Sequence, residues 1–599
     1  MTRGEFEVES AATQEGLPVA TSAGPVLEQA RVPLERSLID KRVVLLCGWS
    51  ILLALATGFI ARILVHLIGL VTNISFYGHW SPAFVSPADN HLGKLVIVVP
   101  VIGGIVVGLM ARYGSKAIRG HGIPEAMEQV LLNESRIPAR VTFLKPLSAA
   151  VSIGTGGPFG AEGPIIATGG ALGSLLGQII RTTATERKTL LAAGAAAGMA
   201  ATFGSPVSAV LLAIELLLFE FRPRSIIPVA LASAVATAVR MFYAGTEPIF
   251  AMPLLARPTG EALATYTVIG ALVGYLSVYV TRAVYWIEDL FEHLPIHWMW
   301  WPAVGGIAVG VVGYYAPRTL GVGYDNIEAM VAGKIFGEAV LFLCAMKFLS
   351  WAIALGSGTS GGTLAPLFTI GGGCGVVLGE LAAVAFPHFH IDPRISALVG
   401  MAAMFAGASR ALLASVVFAF ETTLQPLGLL PLLGGCTAGY LVSALLMRNT
   451  IMTEKLARRG VRVPAEYAAD FLDQISVGAA CTHDVIALRE DQTAADVHDI
   501  VAKHQGFPVV DANGDLLGVV TRRDFLDAAP STPVRDLIRR SPAIVFLDSS
   551  LRDAADQMVR ENVGRLPVVE RANPRRLAGF ITRSDLLSAH ARRLDEESS

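Results

Sequence analysis

The chain has 599 residues, of which 53% are hydrophobic and only 16% charged, with a mean hydropathy of +0.55. Soluble domains carry charge on about a quarter of their residues, so a soluble globular protein is excluded for most of the chain. The net charge of −2 provides no electrostatic basis for binding nucleic acid, and no such partner is predicted.

The N-terminal 38 residues are polar and contain several acidic side chains. They lack the basic start and short apolar core of a signal peptide, so 1–38 is predicted to be a disordered cytoplasmic tail. Basic residues flank the apolar region on both sides: Lys41 and Arg42 before it, and Arg448, Lys455, Arg458, Arg459 and Arg462 after it. Both termini are therefore predicted to be cytoplasmic, with an even number of crossings.

Apolar and glycine-rich runs occupy most of the chain between the tail and residue 447. Since a spanning helix needs roughly 20 such residues, 39–460 is predicted to be a multi-pass α-helical domain in the lipid bilayer. Several runs are short or broken by Gly and Pro, as in transporters whose backbone lines a cavity. The runs are 43–73, 95–112, 147–218, 225–240, 264–284, 301–315, 338–386 and 396–447.

The membrane region contains an internal repeat. Residues 154–177 (GTGGPFGAEGPIIATGGALGSLLG) align without gaps with 356–379 (GSGTSGGTLAPLFTIGGGCGVVLG), and eight Gly or Pro residues coincide at an offset of 202. This duplication predicts two structural halves, near 40–245 and 262–447, with a substrate site at their interface. Parallel and inverted arrangements of the halves are both compatible with the pattern, as are two unrelated small-residue packing faces.

Three segments place Gly and then Pro at the start of an apolar run: GHGIPEA (120–126), GAEGP (160–164) and GGTLAP (361–366). Backbone amides at a helix N-terminus supply hydrogen-bond donors and a partial positive field for an anion. Glycine allows close approach of the backbone, and proline suits the first turn of a helix. The three segments together predict an anion site.

Glu162 is the carboxylate within the second of these segments. A charged carboxylate at bilayer depth is unfavourable by at least a few kcal/mol unless it is paired or solvated. As an anion it would occupy the site that chloride occupies, and protonation would remove its charge, which predicts a gate and proton carrier. The alternative is an acidic residue stabilised by the helix dipole.

The pattern changes after a predicted linker at 461–475. The segment GFPVVDANGDLLGVVTRRDFL (506–526) is echoed by GRLPVVERANPRRLAGFITRSDLL (564–587), each typical of strand, turn, strand and helix. Two α/β modules are therefore predicted, at 476–530 and 531–599.

These motifs resemble the CLC family of chloride channels and chloride/proton exchangers over about residues 40–460, and the two C-terminal modules resemble CBS domains. The resemblance implies a homodimer with one anion pathway per subunit, an inverted repeat of tilted helices, and Glu162 as the gating residue. It also implies backbone anion-binding amides at Gly122, Ile123, Thr363 and Leu364. The full implied anion site comprises Gly120, His121, Gly122, Ile123, Pro124, Gly160, Gly163, Gly362, Thr363, Leu364 and Met452.

Three site residues depart from the family pattern. His121 replaces a serine whose hydroxyl donates to the anion; its ring either donates an N–H or turns away. Met452 replaces a tyrosine and has no donor. Leu364 replaces a phenylalanine, which would widen the same region.

Lys145 either adds positive potential near the pathway or extends to the membrane interface.

The proton path of family exchangers includes a second, cytoplasm-side glutamate. In the segment SPVSAVLLAIELLLFE (205–220), Glu215 matches the acid before that position and Leu216 stands in its place. Glu215 is interpreted as structural rather than transporting, and Glu220 as too displaced to substitute.

The CBS pair would bind an adenine nucleotide (ATP, ADP or AMP), and no other cofactor or metal is predicted. Thr521 and Thr582 would donate to phosphate or ribose, and Asp524 and Asp585 would accept from ribose hydroxyls. The alternative is that both aspartates only cap the helices that follow them.

The sequence predicts proton-gated transport of chloride or a similar anion, as a channel or a loosely coupled transporter, in a bacterial cell membrane. Tightly coupled chloride/proton antiport is the alternative. A CBS-regulated cation transporter would require acidic rings in the membrane, and an enzyme would require a nucleophile–base set or metal cluster. The sequence of the apolar region shows no acidic rings, no nucleophile–base set and no metal-binding cluster.

Overall fold

A computed structural model describes residues 39–253, 255–461, 463, 472 and 475–589. The predicted tail, 1–38, and most of the predicted linker, 461–475, lie outside these residues. The described residues form two compact units, a membrane unit that extends from residue 39 to 463 and a C-terminal unit that ends at residue 589.

The membrane unit is helical, as predicted. Its α-helices are α1 Lys41–Thr72, α2 Val98–Leu109, α3 Ile123–Leu132, α4 Ala139–Gly154, α5 Glu162–Ile179, α6 Ala184–Phe203, α7 Pro206–Ala213, α8 Pro223–Ala244, α9 Gly260–Glu292, α10 Trp301–Tyr315, α11 Tyr324–Val331, α12 Gly337–Gly356, α13 Leu364–Ala385, α14 Pro393–Ser409, α15 Leu412–Thr423, α16 Leu429–Leu446 and α17 Glu454–Arg458. Among the described residues, seven helical segments are long and apolar enough to cross a membrane: Lys41–Tyr77, Gly93–Gly114, Pro223–Ala244, Gly260–Glu292, Gly337–Gly356, Leu364–Ala385 and Pro426–Leu446. Two shorter apolar helices, Pro206–Leu218 and Leu412–Thr423, accompany them. The even number of crossings stays a prediction.

The two halves of this unit are inverted relative to each other. Helices α2 and α10 occupy matching positions in the two halves, and they pack through glycines. A side chain at Gly104 would clash with the backbone of Pro302, and one at Gly306 with the backbone of Pro100. The C-terminal part of α2 therefore faces the N-terminal part of α10 and the reverse, so the two helices are antiparallel. Equivalent helices that run antiparallel require an inverted repeat, which confirms the predicted fold class.

Reciprocal helix caps join the halves. The carboxylate of Glu215 accepts hydrogen bonds from two backbone amides at the start of α15, each at 3.0 Å. Glu421, its counterpart 206 residues later, accepts from two amides at the start of α7 at 3.0 and 2.9 Å. The first amides of a helix lack intrahelical partners, and a carboxylate there also interacts favourably with the helix dipole. Glu215 is thus a structural residue, as interpreted from the sequence.

The C-terminal unit contains two three-stranded sheets of the same topology. Its elements are α18 Val477–Ala480, β1 Leu488–Arg489, α19 His498–Lys503, β2 Gly506–Val510, β3 Leu516–Thr521, β4 Val545–Phe546, α20 Leu551–Arg560, β5 Arg565–Glu570 and β6 Asn573–Thr582. In each sheet a short first strand pairs parallel with the middle strand, which pairs antiparallel with the third. The strand–turn–strand units were predicted, whereas β1 and β4 were not, because two residues produce no detectable alternation. The helix expected after β3 is a short 3₁₀ segment, Arg522–Phe525.

Candidate functional site

The start of α5 faces the start of α13 across the boundary between the halves. Gly160 and Gly362, which match in the repeat, form an antiparallel bridge with reciprocal N–H···O hydrogen bonds of 3.3 and 2.9 Å. A Cβ at Gly362 would lie 2.6 Å from the carbonyl oxygen of Gly160. Glycine is required at this position because the two backbones are in direct contact.

The start of α3 joins the same point. A Cβ at Gly122 would lie 2.7 Å from the carbonyl oxygen of Gly163, and one at Gly163 would overlap the carbonyl oxygen of His121. The amide of Gly361 donates to the carbonyl of Gly120 at 3.4 Å. All three glycine–proline segments singled out in the sequence therefore converge, although the first begins at residue 120 and the third at residue 361.

Backbone conformation at the start of α3 also depends on glycine. Gly120 and Gly122 have φ values of 84° and 96°, in the region that side chains disfavour. Gly122 caps the helix and Pro124 lies in its first turn. At the start of α13, Thr363 is the cap and Leu364 the first helical residue, and both are buried.

Glu162 is the first residue of α5 and is completely buried, with 0% of its surface exposed. Its Oε1 accepts a hydrogen bond of 2.8 Å from the hydroxyl of Tyr324, at the start of α11. Within the described residues, its Oε2 has no hydrogen-bond partner. The ammonium of Lys347 and the amide of Ala365 interact with the carboxylate electrostatically. The carboxylate thus lies at the start of α13, where a bound anion would be stabilised.

Two buried lysines hold the loops that lead into the site. Lys145 donates to the carbonyls of Ile118 and Gly120, both at 2.8 Å. Lys347, which is 202 residues later, donates to the equivalent carbonyls at 3.0 and 2.9 Å. Lys145 has 1% of its surface exposed, so the alternative that it extends to the membrane interface is wrong. Its charge remains beside the site while it orders the loop before α3.

The amide of Gly122 differs from its predicted role. It donates to Oε2 of Glu125 at 2.7 Å, so it is engaged within the protein rather than available to an anion. The other oxygen of Glu125 accepts from Lys455 Nζ at 2.8 Å. The physical reason is local: the third residue of a helix commonly reaches back to the amide of the cap.

The departures from the family pattern are all buried. His121 has 6% of its surface exposed, and its Nδ1 has no partner among the described residues. Met452 and Leu216 have 0% and 4% exposed. Glu220 accepts from the hydroxyl of Ser225 at 2.6 Å and pairs with Lys188 at 3.4 Å, so it does not replace Leu216 as a free acid.

In the C-terminal unit, both predicted aspartates accept hydrogen bonds from their own threonines. Asp524 Oδ2 accepts from the amide and hydroxyl of Thr521 at 2.8 and 2.6 Å, and Asp585 Oδ2 from those of Thr582 at 2.7 Å each. The same arrangement occurs in the turn before α19, Thr493 with Asp496, and at the start of α20, Ser550 with Asp553. The bonds from Thr493 lower the pKa of Asp496 below its ordinary value. Capping, the alternative stated above, is therefore a general feature of this unit.

Sequence reasoning missed two residues of the site, Tyr324 and Lys347, and the helix cap Glu421. Lys347 and Glu421 have counterparts in the first half, Lys145 and Glu215, at offsets of 202 and 206. Extending the glycine repeat at its offset of 202 would have found Lys347, whereas Glu421 lies four residues beyond the position that this offset predicts. Tyr324 has an apolar counterpart, so no comparison within the sequence indicates it.

Comparisons with known proteins agree with this architecture. Residues 102–444 match the sequence profile described as voltage gated chloride channel, and residues 477–531 and 534–592 each match that of the CBS domain. The H(+)/Cl(−) exchange transporter ClcA of Salmonella arizonae is 30% identical over 404 residues, covering 65% of this chain and 84% of the relative. A putative chloride channel protein ClcB-like of Ralstonia nicotianae is 26% identical, covering 60% and 85%. The chloride channel protein CLC-f of Arabidopsis thaliana is 31% identical, covering 57% of this chain and 46% of the relative.

Solved structures resemble the chain in fold. A slow cyanobacterial Cl−/H+ antiporter matches with a TM-score of 0.63 and 22% identity, covering 70% of this chain and 98% of the other. A eukaryotic CLC transporter matches with a TM-score of 0.57 and 24% identity, covering 90% and 97%. At these identities the similarity supports the fold only, and the transported ions are inferred from the residues of the site.

Proposed function

We propose that this chain, which belongs to the voltage gated chloride channel family, transports chloride or a similar small anion along a pathway that protonation of Glu162 opens. The family consists of anion channels and transporters rather than enzymes. The chain is accordingly a multi-pass membrane protein of anion transport with two CBS domains.

The burial of the Glu162 carboxylate at the start of α13 carries this proposal. The carboxylate lies where helix amides would otherwise face an anion, so carboxylate and anion compete for one position. Protonation removes the charge that holds the side chain there and lets an anion take its place. A gate that responds to both protons and anions follows from this competition.

The anion itself would be held by backbone amides of Ile123, Thr363 and Leu364, together with the ring of His121. Nδ1 of His121 is a buried polar atom with no hydrogen-bond partner in the described part of the chain, which is unfavourable unless a ligand satisfies it. Met452 contributes no donor. Lys145, which donates to the carbonyl of Gly120 next to His121, would add positive potential at this place.

Passive or loosely coupled conduction is the leading form of this function. Coupled exchange requires protons to reach Glu162 from the cytoplasm, and the residue at the expected relay position, Leu216, is apolar and buried. Both nearby acids are engaged, Glu215 as a helix cap and Glu220 with Ser225 and Lys188. Tightly coupled antiport is the second candidate, favoured by the exchange activity that the Salmonella relative's name states.

Reconstituted protein separates these forms. Reversal potentials in proteoliposomes, measured across independent chloride and pH gradients, follow chloride alone for a channel and shift by a fixed amount with the pH gradient for an exchanger. Glu162→Ala is expected to abolish the pH dependence of chloride flux, whereas Glu220→Gln, a matched acid outside the site, is expected to retain it. Unchanged pH dependence in Glu162→Ala would contradict the gate assignment.

The CBS pair is proposed to bind an adenine nucleotide near Thr521, Asp524, Thr582 and Asp585. The threonines end β3 and β6 and the aspartates follow three residues later, at equivalent places of the two modules. Near them in the sequence are Arg522, Arg523 and Arg583. Asp524 also pairs with Arg539 at 3.1 Å, so the nucleotide would compete with that ion pair.

Calorimetric titration of the full chain with ATP, ADP and AMP tests this assignment. Asp585→Ala is expected to weaken binding at least tenfold, since a lost hydrogen bond to a charged group is worth about 1.5–3 kcal/mol. Asp553→Ala removes an equivalent helix cap away from the proposed site and is expected to leave binding unchanged. Equal losses in both variants would mean that Asp585 acts only as a cap.

We also infer a homodimer with one pathway per subunit, in a bacterial inner membrane with cytoplasmic termini. Val207 and Leu413, at matching places in α7 and α15, are 54% and 49% exposed and would contribute to an apolar interface. The basic residues that flank both ends of the membrane region support the orientation.

A further inference from the structure

The hydroxyl of Tyr324 makes the one side-chain hydrogen bond to Glu162 among the described residues. The bond is 2.8 Å long, and the carboxylate is completely buried. A hydrogen bond from a neutral donor stabilises an ionised carboxylate more than a protonated one, whose carbonyl oxygen is a weaker acceptor. Tyr324 therefore discriminates between the two states of the gate.

The position of Tyr324 is determined by its surroundings. Its ring packs edge-on against Phe203 and Phe250, with ring centroids 5.7 and 6.0 Å apart. The preceding residue, Gly323, caps α11 with a φ of 77°, and Lys347 binds the carbonyls of the loop before it. The direction of the hydroxyl is thus set by the glycine cap and the lysine-bound loop of the second half, together with ring contacts that include Phe203 of the first half.

The repeat indicates that this hydroxyl is not required by the architecture. Tyr324 is the first residue of α11, as Ile123 is the first residue of α3, and both follow a glycine cap with positive φ. The two loops are held by equivalent lysines. Since isoleucine begins the equivalent helix in the first half, starting α11 does not require a hydroxyl, and the hydroxyl of Tyr324 serves the hydrogen bond to Glu162.

Other charged or titratable groups around Glu162 lie on three elements. Lys347 on α12 interacts with the carboxylate but is already bound by two carbonyls, and Asp325 on α11 acts on that lysine. His121 precedes α3, and its carbonyl contacts the backbone of Gly163. None of these side chains makes a hydrogen bond to the carboxylate.

We propose that Tyr324 is a positioning residue that holds ionised Glu162 in the blocking position and thereby sets the pH at which the pathway opens. This inference rests on the proposed gating by Glu162. It assigns to the second half of the repeat, which has no gating acid of its own, control over the acid of the first half.

Chloride efflux from proteoliposomes as a function of pH tests the proposal. Tyr324→Phe preserves both ring contacts and removes only the hydroxyl, so efflux is expected to reach half its maximum about one pH unit higher than in the wild type. Maximal efflux at low pH is expected to stay within twofold. In a Glu162→Ala background, Tyr324→Phe is expected to change efflux less than twofold at every pH.

Tyr266→Phe is the matched control. Tyr266 is a buried tyrosine of the same half whose hydroxyl accepts a hydrogen bond of 2.9 Å from the amide of Asp392 and makes no hydrogen bond to Glu162 among the described residues. Its loss is expected to leave the pH midpoint unchanged. A Tyr324→Phe midpoint equal to the wild type, or a shift that persists without Glu162, overturns the proposal. If Glu162→Ala itself retained the wild-type pH dependence, the proposed gate would fail instead, so the two failures are distinguishable.

Discussion

Replacing Gly169 with alanine is expected to destabilise the membrane unit by about 1–3 kcal/mol, the range for overpacking a close-packed core. A Cβ at Gly169 would overlap the carbonyl oxygen of Gly194, where α5 and α6 touch backbone to backbone. Neither helix can move away without separating its other contacts. The counterpart variant Gly371→Ala would overlap Met404 and approach the carbonyl of Gly400 on α14, with the same expected result.

The adjacent glycines provide the control. A Cβ at Gly170 would lie 3.6 Å from Leu191, and one at Gly372 would lie 3.6 Å from its nearest neighbour, both ordinary contact distances. Gly170→Ala and Gly372→Ala are therefore expected to be neutral or mildly stabilising, since alanine favours a helix by up to about 1 kcal/mol over glycine. Thermal unfolding of detergent-solubilised protein measures the difference. If Gly169→Ala melted at the same temperature as Gly170→Ala, or Gly371→Ala at the same temperature as Gly372→Ala, the close contact at Gly169 or Gly371 would be refuted.

Gly160→Ala is expected to open the pathway at neutral pH. A Cβ at Gly160 would overlap the carboxylate of Glu162, which is the far end of a flexible side chain and so moves before the backbone does. If the overlap destabilises the blocking conformation of Glu162 by roughly 1.4 kcal/mol, the equilibrium shifts about tenfold toward the displaced conformation. Chloride efflux at neutral pH would then rise by about the same factor. Efflux should then depend little on pH, as expected for Glu162→Ala.

Two further variants distinguish gate displacement from a packing defect. In a Glu162→Ala background, Gly160→Ala has no carboxylate to displace and is expected to leave efflux unchanged. Gly362→Ala, at the matching position of the repeat, would place a Cβ 2.6 Å from the carbonyl oxygen of Gly160 and 2.8 Å from Oε2 of Glu162. In a Glu162→Ala background only the contact with Gly160 remains, and Gly362→Ala is expected to lower thermal stability there. Reduced efflux in Gly160→Ala, with loss of stability, would indicate that the backbone moved instead.

The resemblance drawn from the GAEGP segment and the ordered repeat is confirmed by the family match over residues 102–444. It was detectable because the glycines and prolines of the segments have backbone roles that few other residues fulfil. The role of Lys145 was predicted only in part. A contribution of its charge to the pathway was predicted, but its two carbonyl partners lie in a loop 25 and 27 residues away. Contacts over that separation produce no pattern in the local sequence.

The sequence by itself contains three glycine–proline segments, with Glu162 in the second of them, and it predicted two related membrane halves. These features follow from composition and spacing, which are properties of the linear chain. The tertiary structure alone decided that the halves are inverted and that Gly169 touches another helix while Gly170 does not. It also decided that Glu162 is held by Tyr324, 162 residues away. Such pairings depend on how helices pack, since residues adjacent in a helix face different neighbours.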